Sequence, residues 1–162
     1  MNLNAAHIHL LLNHLPIIGT AVGLLLLAAG LFWRSDHLKR AGLVTFVLAA
    51  IITLPVYLTG EPAEKLIEGA QGVTEEFIEE HQDAALMSSI AVGLLGALAA
   101  FGLWRSRRFP QIPKWVVTST LALSLVVSGL MIWTGSLGGK IRHTEVRSSA
   151  NSSDTSITKD DE

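Results

Sequence analysis

The chain of 162 residues contains no cysteine. That absence excludes disulfides, iron–sulfur ligation, thiolate zinc sites and covalent c-type haem attachment. Charge is scarce as well. Asp, Glu, Lys and Arg together make up 16% of the chain, against about a quarter in an ordinary soluble domain. A formal net charge of −2 and the lack of a basic patch with interleaved aromatics give no case for nucleic acid. No Lys or Arg precedes the first apolar segment, which is also too long for a signal-peptide core, so it is expected to stay in the mature protein. There is no nucleophile elbow, P-loop or His-Glu-x-x-His, so independent enzymatic catalysis is not expected. Ser88 and Ser89 sit among small apolar residues and read as packing.

What the chain has instead is long apolar runs. Four segments, 8–33, 41–59, 84–104 and 115–137, meet the length of about 20 residues that a membrane-spanning helix needs. The expected fold is all-α: one domain, residues 1–147, forming an integral membrane four-helix bundle in the lipid bilayer of a bacterial inner membrane. A polar tail at 148–162, rich in Ser, Asn, Thr and Asp, has the composition of a disordered segment. Arg34, Lys39 and Arg40 lie between the first and second spans, and Arg105, Arg107, Arg108 and Lys114 between the third and fourth. The positive-inside rule places both loops in the cytoplasm and both termini outside. His7, His9, His14, His81 and His143 then share the outer side. His37 is cytoplasmic, beside Asp36, and is given no role.

Several histidines at one end of an apolar bundle are costly unless they have partners or a task. On the first helix, His9, Asn13, Pro16, Thr20 and Gly23 fall in one narrow stripe, and Gly19 and Gly23 allow close helix approach. His9 is therefore expected to face the interior, with His14 about 140° away. Pro16 leaves the Leu12 carbonyl without its donor and should bend the helix there. After Thr59-Gly60, the order Glu61-Pro62 suits a helix start, and Ala63, Leu66, Ile67 and Ala70 recur at helical spacing. This predicts a short outer amphipathic helix. Thr74, Glu75 and Glu76 suit the start of the third helix, whose small-residue face carries His81 inward. After Trp133-Thr134-Gly135, the pair Gly138-Gly139 permits a sharp reversal that would bring His143 back over the bundle.

The chain also repeats itself. Ala21-Val22-Gly23-Leu24-Leu25 matches Ala91-Val92-Gly93-Leu94-Leu95, and Thr59-Gly60 matches Thr134-Gly135. Two helical hairpins of the same orientation make a parallel repeat. At this offset His81 aligns with the region between His9 and His14.

The elements HIHLLLNHLPIIG, LTGEPAEKLIE, EEHQDAAL and TGSLGGKIRHTE, in that order, resemble a family of uncharacterised predicted four-helix bacterial membrane proteins, over residues up to Arg147. They are also similar to a broader group with a His-Pro…His-Phe-Pro start and a Thr-Gly…Leu-Gly-Gly turn, whose members occur fused to Rieske or cytochrome c domains. That resemblance implies a redox setting. No such fusion is expected for this chain, and His9 is not followed by proline, so residue-level transfer extends to His9, His14 and His143 only.

Two readings stand side by side. In one, His81 with His9 or His14 ligates haem b, since haem needs two imidazoles from facing helices and an apolar slot between them. Arg142 and His143 would lie near the propionates, and Glu64, Glu80 or Glu145 would accept the second ring N–H of a ligand. The subunit would pass electrons between a periplasmic redox protein and a membrane complex. A copper, zinc or iron ion held by His9, His14 and His81 is the variant of this reading. In the other, the same histidines hydrogen-bond to Glu64, Glu80 or Glu145 and bind nothing, and the chain is a structural or assembly subunit.

Overall fold

The computed structural model describes residues 4–66, 73, 75–109 and 111–142. Within them the chain forms five helices and no strand: α1 (Ala5–Leu12), α2 (His14–Phe32), α3 (Asp36–Glu64), α4 (Glu75–Arg108) and α5 (Lys114–Arg142). The first span is two helices in near continuity. Asn4 caps α1 through its side chain. The regular pattern breaks at Asn13, where Pro16 has no N–H to return to Leu12. The proline thus interrupts the helical hydrogen-bond ladder where expected, while Asn13 keeps helical backbone angles and its N–H bonds the His9 carbonyl. Four helical stretches, Ala6–Phe32, Asp36–Glu64, Glu75–Arg108 and Lys114–Ile141, are long and apolar enough to cross a membrane.

Local signals explain most of the helix ends. α2 closes in a Schellman motif: Ser35 N–H bonds the Gly30 carbonyl and Arg34 N–H bonds that of Leu31. Arg34 takes the left-handed position, at φ 53°. Ser35 then caps α3 by accepting from the Leu38 N–H, and Asp36 in the first turn pairs with Lys39. α4 begins with Glu75 and Glu76 in its first turn, where carboxylates complement the helix dipole.

Consecutive long helices pack as antiparallel neighbours, and α5 returns to α2 to close a four-membered ring. The core is Leu27, Leu43, Phe46, Val92, Leu95, Ala99, Val116 and Val127. Phe46 is its largest fully buried side chain. Outward faces carry Leu25, Phe32, Ile51, Leu54 and Ile132 exposed. Such extensive apolar exposure requires lipid rather than water. The protein is a multi-pass membrane helical bundle.

The buried positions support the repeat, in a register different from the one its letters suggest. The buried residues of α2 are Pro16, Thr20, Gly23, Leu27 and Gly30. Moved by 72 positions these become Ser88, Val92, Leu95, Ala99 and Gly102, all buried on α4. For α3 and α5 the shift is 78: Phe46, Ala49 and Thr53 correspond to the buried Ser124, Val127 and Met131.

Two helix ends depart from expectation. α3 does not stop at Thr59-Gly60 but continues through Pro62 to Glu64. The anticipated separate amphipathic helix is thus, as far as Glu64, the last turn of α3, and residues 67–72 lie outside the described part. Pro62 only removes the donor for the Leu58 carbonyl, which the outer end of a span can leave to water. Nor does the chain reverse at Gly138-Gly139, because α5 runs through both to Arg142. Gly138 is explained instead by what packs on it, as described next. His143, Glu145 and the tail at 148–162 lie outside the described residues, as does the side chain of Arg142.

Candidate functional site

His9 reaches the bundle from α1. Its Nδ1 lies 3.0 Å from the Val56 carbonyl on α3, and its ring lies against Gly60, where an added Cβ would sit 3.7 Å from Cε1. His81 reaches in from α4. Its Nδ1 lies 3.1 Å from the Thr134 carbonyl on α5, and its ring lies against Gly138, where an added Cβ would sit 3.1 Å from Cε1. The two arrangements correspond element by element. His9 and His81 are separated by the 72-residue shift, and Val56 from Thr134, like Gly60 from Gly138, by the 78-residue shift.

The hydrogen bonds fix the chemistry of both rings. A carbonyl oxygen can only accept, so each Nδ1 must carry the hydrogen. In the neutral imidazole the lone pair is then on Nε2. This is the tautomer and support that ligating histidines have: one nitrogen anchored to a backbone carbonyl, the other left as a donor atom.

Hydroxyl groups brace the acceptors. Thr59 Oγ1 donates to the Pro55 and Val56 carbonyls, at 2.8 and 3.1 Å. Thr134 Oγ1 donates to the Ala84 carbonyl at 3.1 Å. The Ser88 and Thr134 hydroxyls also share a 2.7 Å hydrogen bond. Ser88 is therefore more than the packing residue expected from sequence, since it ties α4 to the turn of α5 that holds His81.

Both histidines line one cavity of about 620 Å³ at this end of the bundle, within the ~300–1,000 Å³ typical of cofactor and small-molecule sites. Its walls include Leu10, Pro16, Ile17, Ile78, Ala85 and Met131. Asn13 also lines it, and its Oδ1 is buried with no donor. The cavity reaches from the rim at Glu64 to Ser88 and Thr134, about two helical turns further in.

The remaining expected residues divide. His14 lies on the cavity rim but is exposed. Its counterpart at the 72-residue shift is the exposed Leu86, so His9 and not His14 is the mate of His81. Glu64 lines the mouth, where it accepts a hydrogen bond from Gln82 of α4 rather than from an imidazole. Glu80 is exposed and is not part of the lining. Among the described residues no three His, Asp or Glu side chains converge closely enough to hold a metal ion, so His9, His14 and His81 do not form a three-ligand centre. His7 stays at the surface, bonded to Asn4. What sequence reasoning missed is Val56, Thr134, Gly60 and Gly138. Glycines at equivalent places opposite two histidines are the one signal that could have found them.

The chain belongs to the family described as "Predicted membrane protein (DUF2231)", whose model matches residues 5–146. No curated protein and no solved structure matches the chain.

Proposed function

We propose that this member of the family holds haem b between His9 and His81 and serves as a membrane electron-transfer subunit. The observation that carries the proposal is the paired support of the two imidazoles. Each half of the repeat supplies one ring, anchored through Nδ1 on a return-helix carbonyl, with Nε2 left for a ligand. A pair of histidines on different helices, lining one largely apolar cavity, is what bis-histidine haem ligation requires. Haem would supply one-electron redox chemistry to the site. The residues do the rest: His9 and His81 hold and orient, Ile17, Ile78 and Met131 keep water from the inner part, and Glu64 with Gln82 borders the mouth. The family resemblance to proteins fused with Rieske or cytochrome c modules supports the same redox setting. With the basic loops in the cytoplasm the cavity opens outward, so a periplasmic carrier would meet it there and a membrane partner would complete the path. A transition-metal ion is the weaker form of the proposal, because two histidines alone leave its coordination incomplete.

The test is an oxidised and a dithionite-reduced absorption spectrum of the purified protein, with elemental analysis. The expected result is a b-type spectrum that His81→Ala and His9→Ala each abolish while the helical content is kept. His14→Ala and His37→Ala should leave it intact. A well-folded protein that takes up neither haem nor metal, even when both are supplied, would refute the proposal and leave the structural or assembly role.

A further inference from the structure

The end of the bundle opposite the cavity has a different chemistry. Its two connections and their flanks hold seven cations, Arg34, Lys39, Arg40, Arg105, Arg107, Arg108 and Lys114, and one carboxylate, Asp36. Asp36 is taken by Lys39 at 2.9 Å. Arg105 and Arg108 have no acidic partner among the described residues and stack on rings instead. The Arg105 guanidinium lies 3.5 Å from the centroid of Phe109, and that of Arg108 lies 5.4 Å from the centroid of Trp104. Nη1 of Arg105 is buried with no acceptor. The rings continue along the outer surface: Phe101 contacts both Trp104 and Trp115 at 5.8 Å between centroids. All three of these, and Phe109, are exposed.

We infer that this surface, on the end of α4 and the start of α5, is a binding site for one anionic phospholipid. The phosphate would sit beside Arg105 and Arg108, and the acyl chains would lie along Phe101, Trp104 and Trp115. The argument is complementarity on both counts. Exposed aromatic rings at the end of a span belong to the membrane interface. Guanidiniums without a carboxylate attract phosphate oxygens, and Arg is suited to bind them through paired N–H groups. A zwitterionic lipid brings its own cation, which an excess of six positive charges at this end disfavours. A partner protein would have to cover rings that the end of a span places at the membrane interface. The site is independent of the haem proposal and of the orientation of the chain.

Native mass spectrometry of the full chain in detergent tests it, with dioleoyl phosphatidylglycerol, dioleoyl phosphatidylcholine and inorganic phosphate as probes. Phosphatidylglycerol should remain bound at activation energies that strip phosphatidylcholine. Arg105→Gln with Arg108→Gln should weaken its retention about thirtyfold, the factor for two cations at a lipid surface. Arg107→Gln should have a much smaller effect, because Arg107 projects about 200° round the helix from Arg105 and stacks on none of these rings. If the double variant does not fold, Arg108→Gln alone should still give about a fivefold loss. Equal retention of the two lipids, or equal losses for Arg107→Gln and Arg108→Gln, would overturn the inference. Displacement of the lipid by millimolar inorganic phosphate would overturn its lipid specificity.

Discussion

Gly96→Ala should destabilise the bundle even though alanine is the better helix former. Gly96 is buried on α4, where a Cβ would lie 2.4 Å from the Cβ of Ala50 on α3. No real pair of carbons approaches so closely, and Ala50 has no side-chain torsion with which to withdraw. The two helices must part. Gly93, three residues earlier on the same helix, is exposed and a Cβ there meets nothing within 4 Å. Each substitution gains roughly 0.5–1 kcal/mol from helix propensity, so that gain cancels when the two variants are compared. What remains is overpacking, about 1–3 kcal/mol. Gly93→Ala should therefore match or slightly exceed the parent, and Gly96→Ala should fall below Gly93→Ala by about 2 kcal/mol. Gly23→Ala should behave like Gly96→Ala, since its Cβ would lie 2.6 Å from the ring of the fully buried Phe46. Reversible unfolding in mixed micelles with rising SDS, followed by far-UV circular dichroism, measures these differences. Equal midpoints for Gly93→Ala and Gly96→Ala would show that the buried face is not where helical packing puts it.

Gly138→Ala should disturb the histidine site more than Gly60→Ala, because the new Cβ lies 3.1 Å from the His81 ring in one case and 3.7 Å from the His9 ring in the other. If haem is bound, its absorption bands should shift in the first variant only, and identical spectra would argue against ring contact at Gly138. Cysteines placed at His37 and Gln111, both exposed at the basic end of the bundle, should resist an impermeant thiol reagent on intact cells while one at Ser152 labels; labelling of the first two from outside would reverse the orientation. Arg34→Gly should stabilise the turn between α2 and α3 by up to about 1 kcal/mol, since glycine occupies a positive φ without strain. An unchanged or lowered unfolding midpoint would mean that the Arg34 side chain offsets its own backbone cost.

The spans were legible because a helix in lipid must be apolar over a length that few other structures need. The start of α4 at Glu75 was legible too, but the ends of α3 and α5 were not. Gly60 and Gly138 carry the letters of a stop and a turn, yet both lie within helices, where the missing side chain lets an imidazole rest against the backbone. The same ambiguity affected the repeat. Ala, Val, Gly and Leu recur so often in membrane helices that a five-residue match at a shift of 70 arises beside a structural repeat at 72. Two residues turn a helix by about 200°, enough to exchange interior for lipid. Hence Gly23 packs on Phe46, while Gly93, its partner by letters, meets nothing. The structural register pairs His9 with His81 and leaves His14 matched to the lipid-facing Leu86. A histidine, a facing carbonyl and a facing glycine recur together on two separate helix pairs. A single interfacial histidine satisfied by a carbonyl is ordinary. Two supported in the same way, on one cavity, form the arrangement on which the proposal of a shared ligand rests.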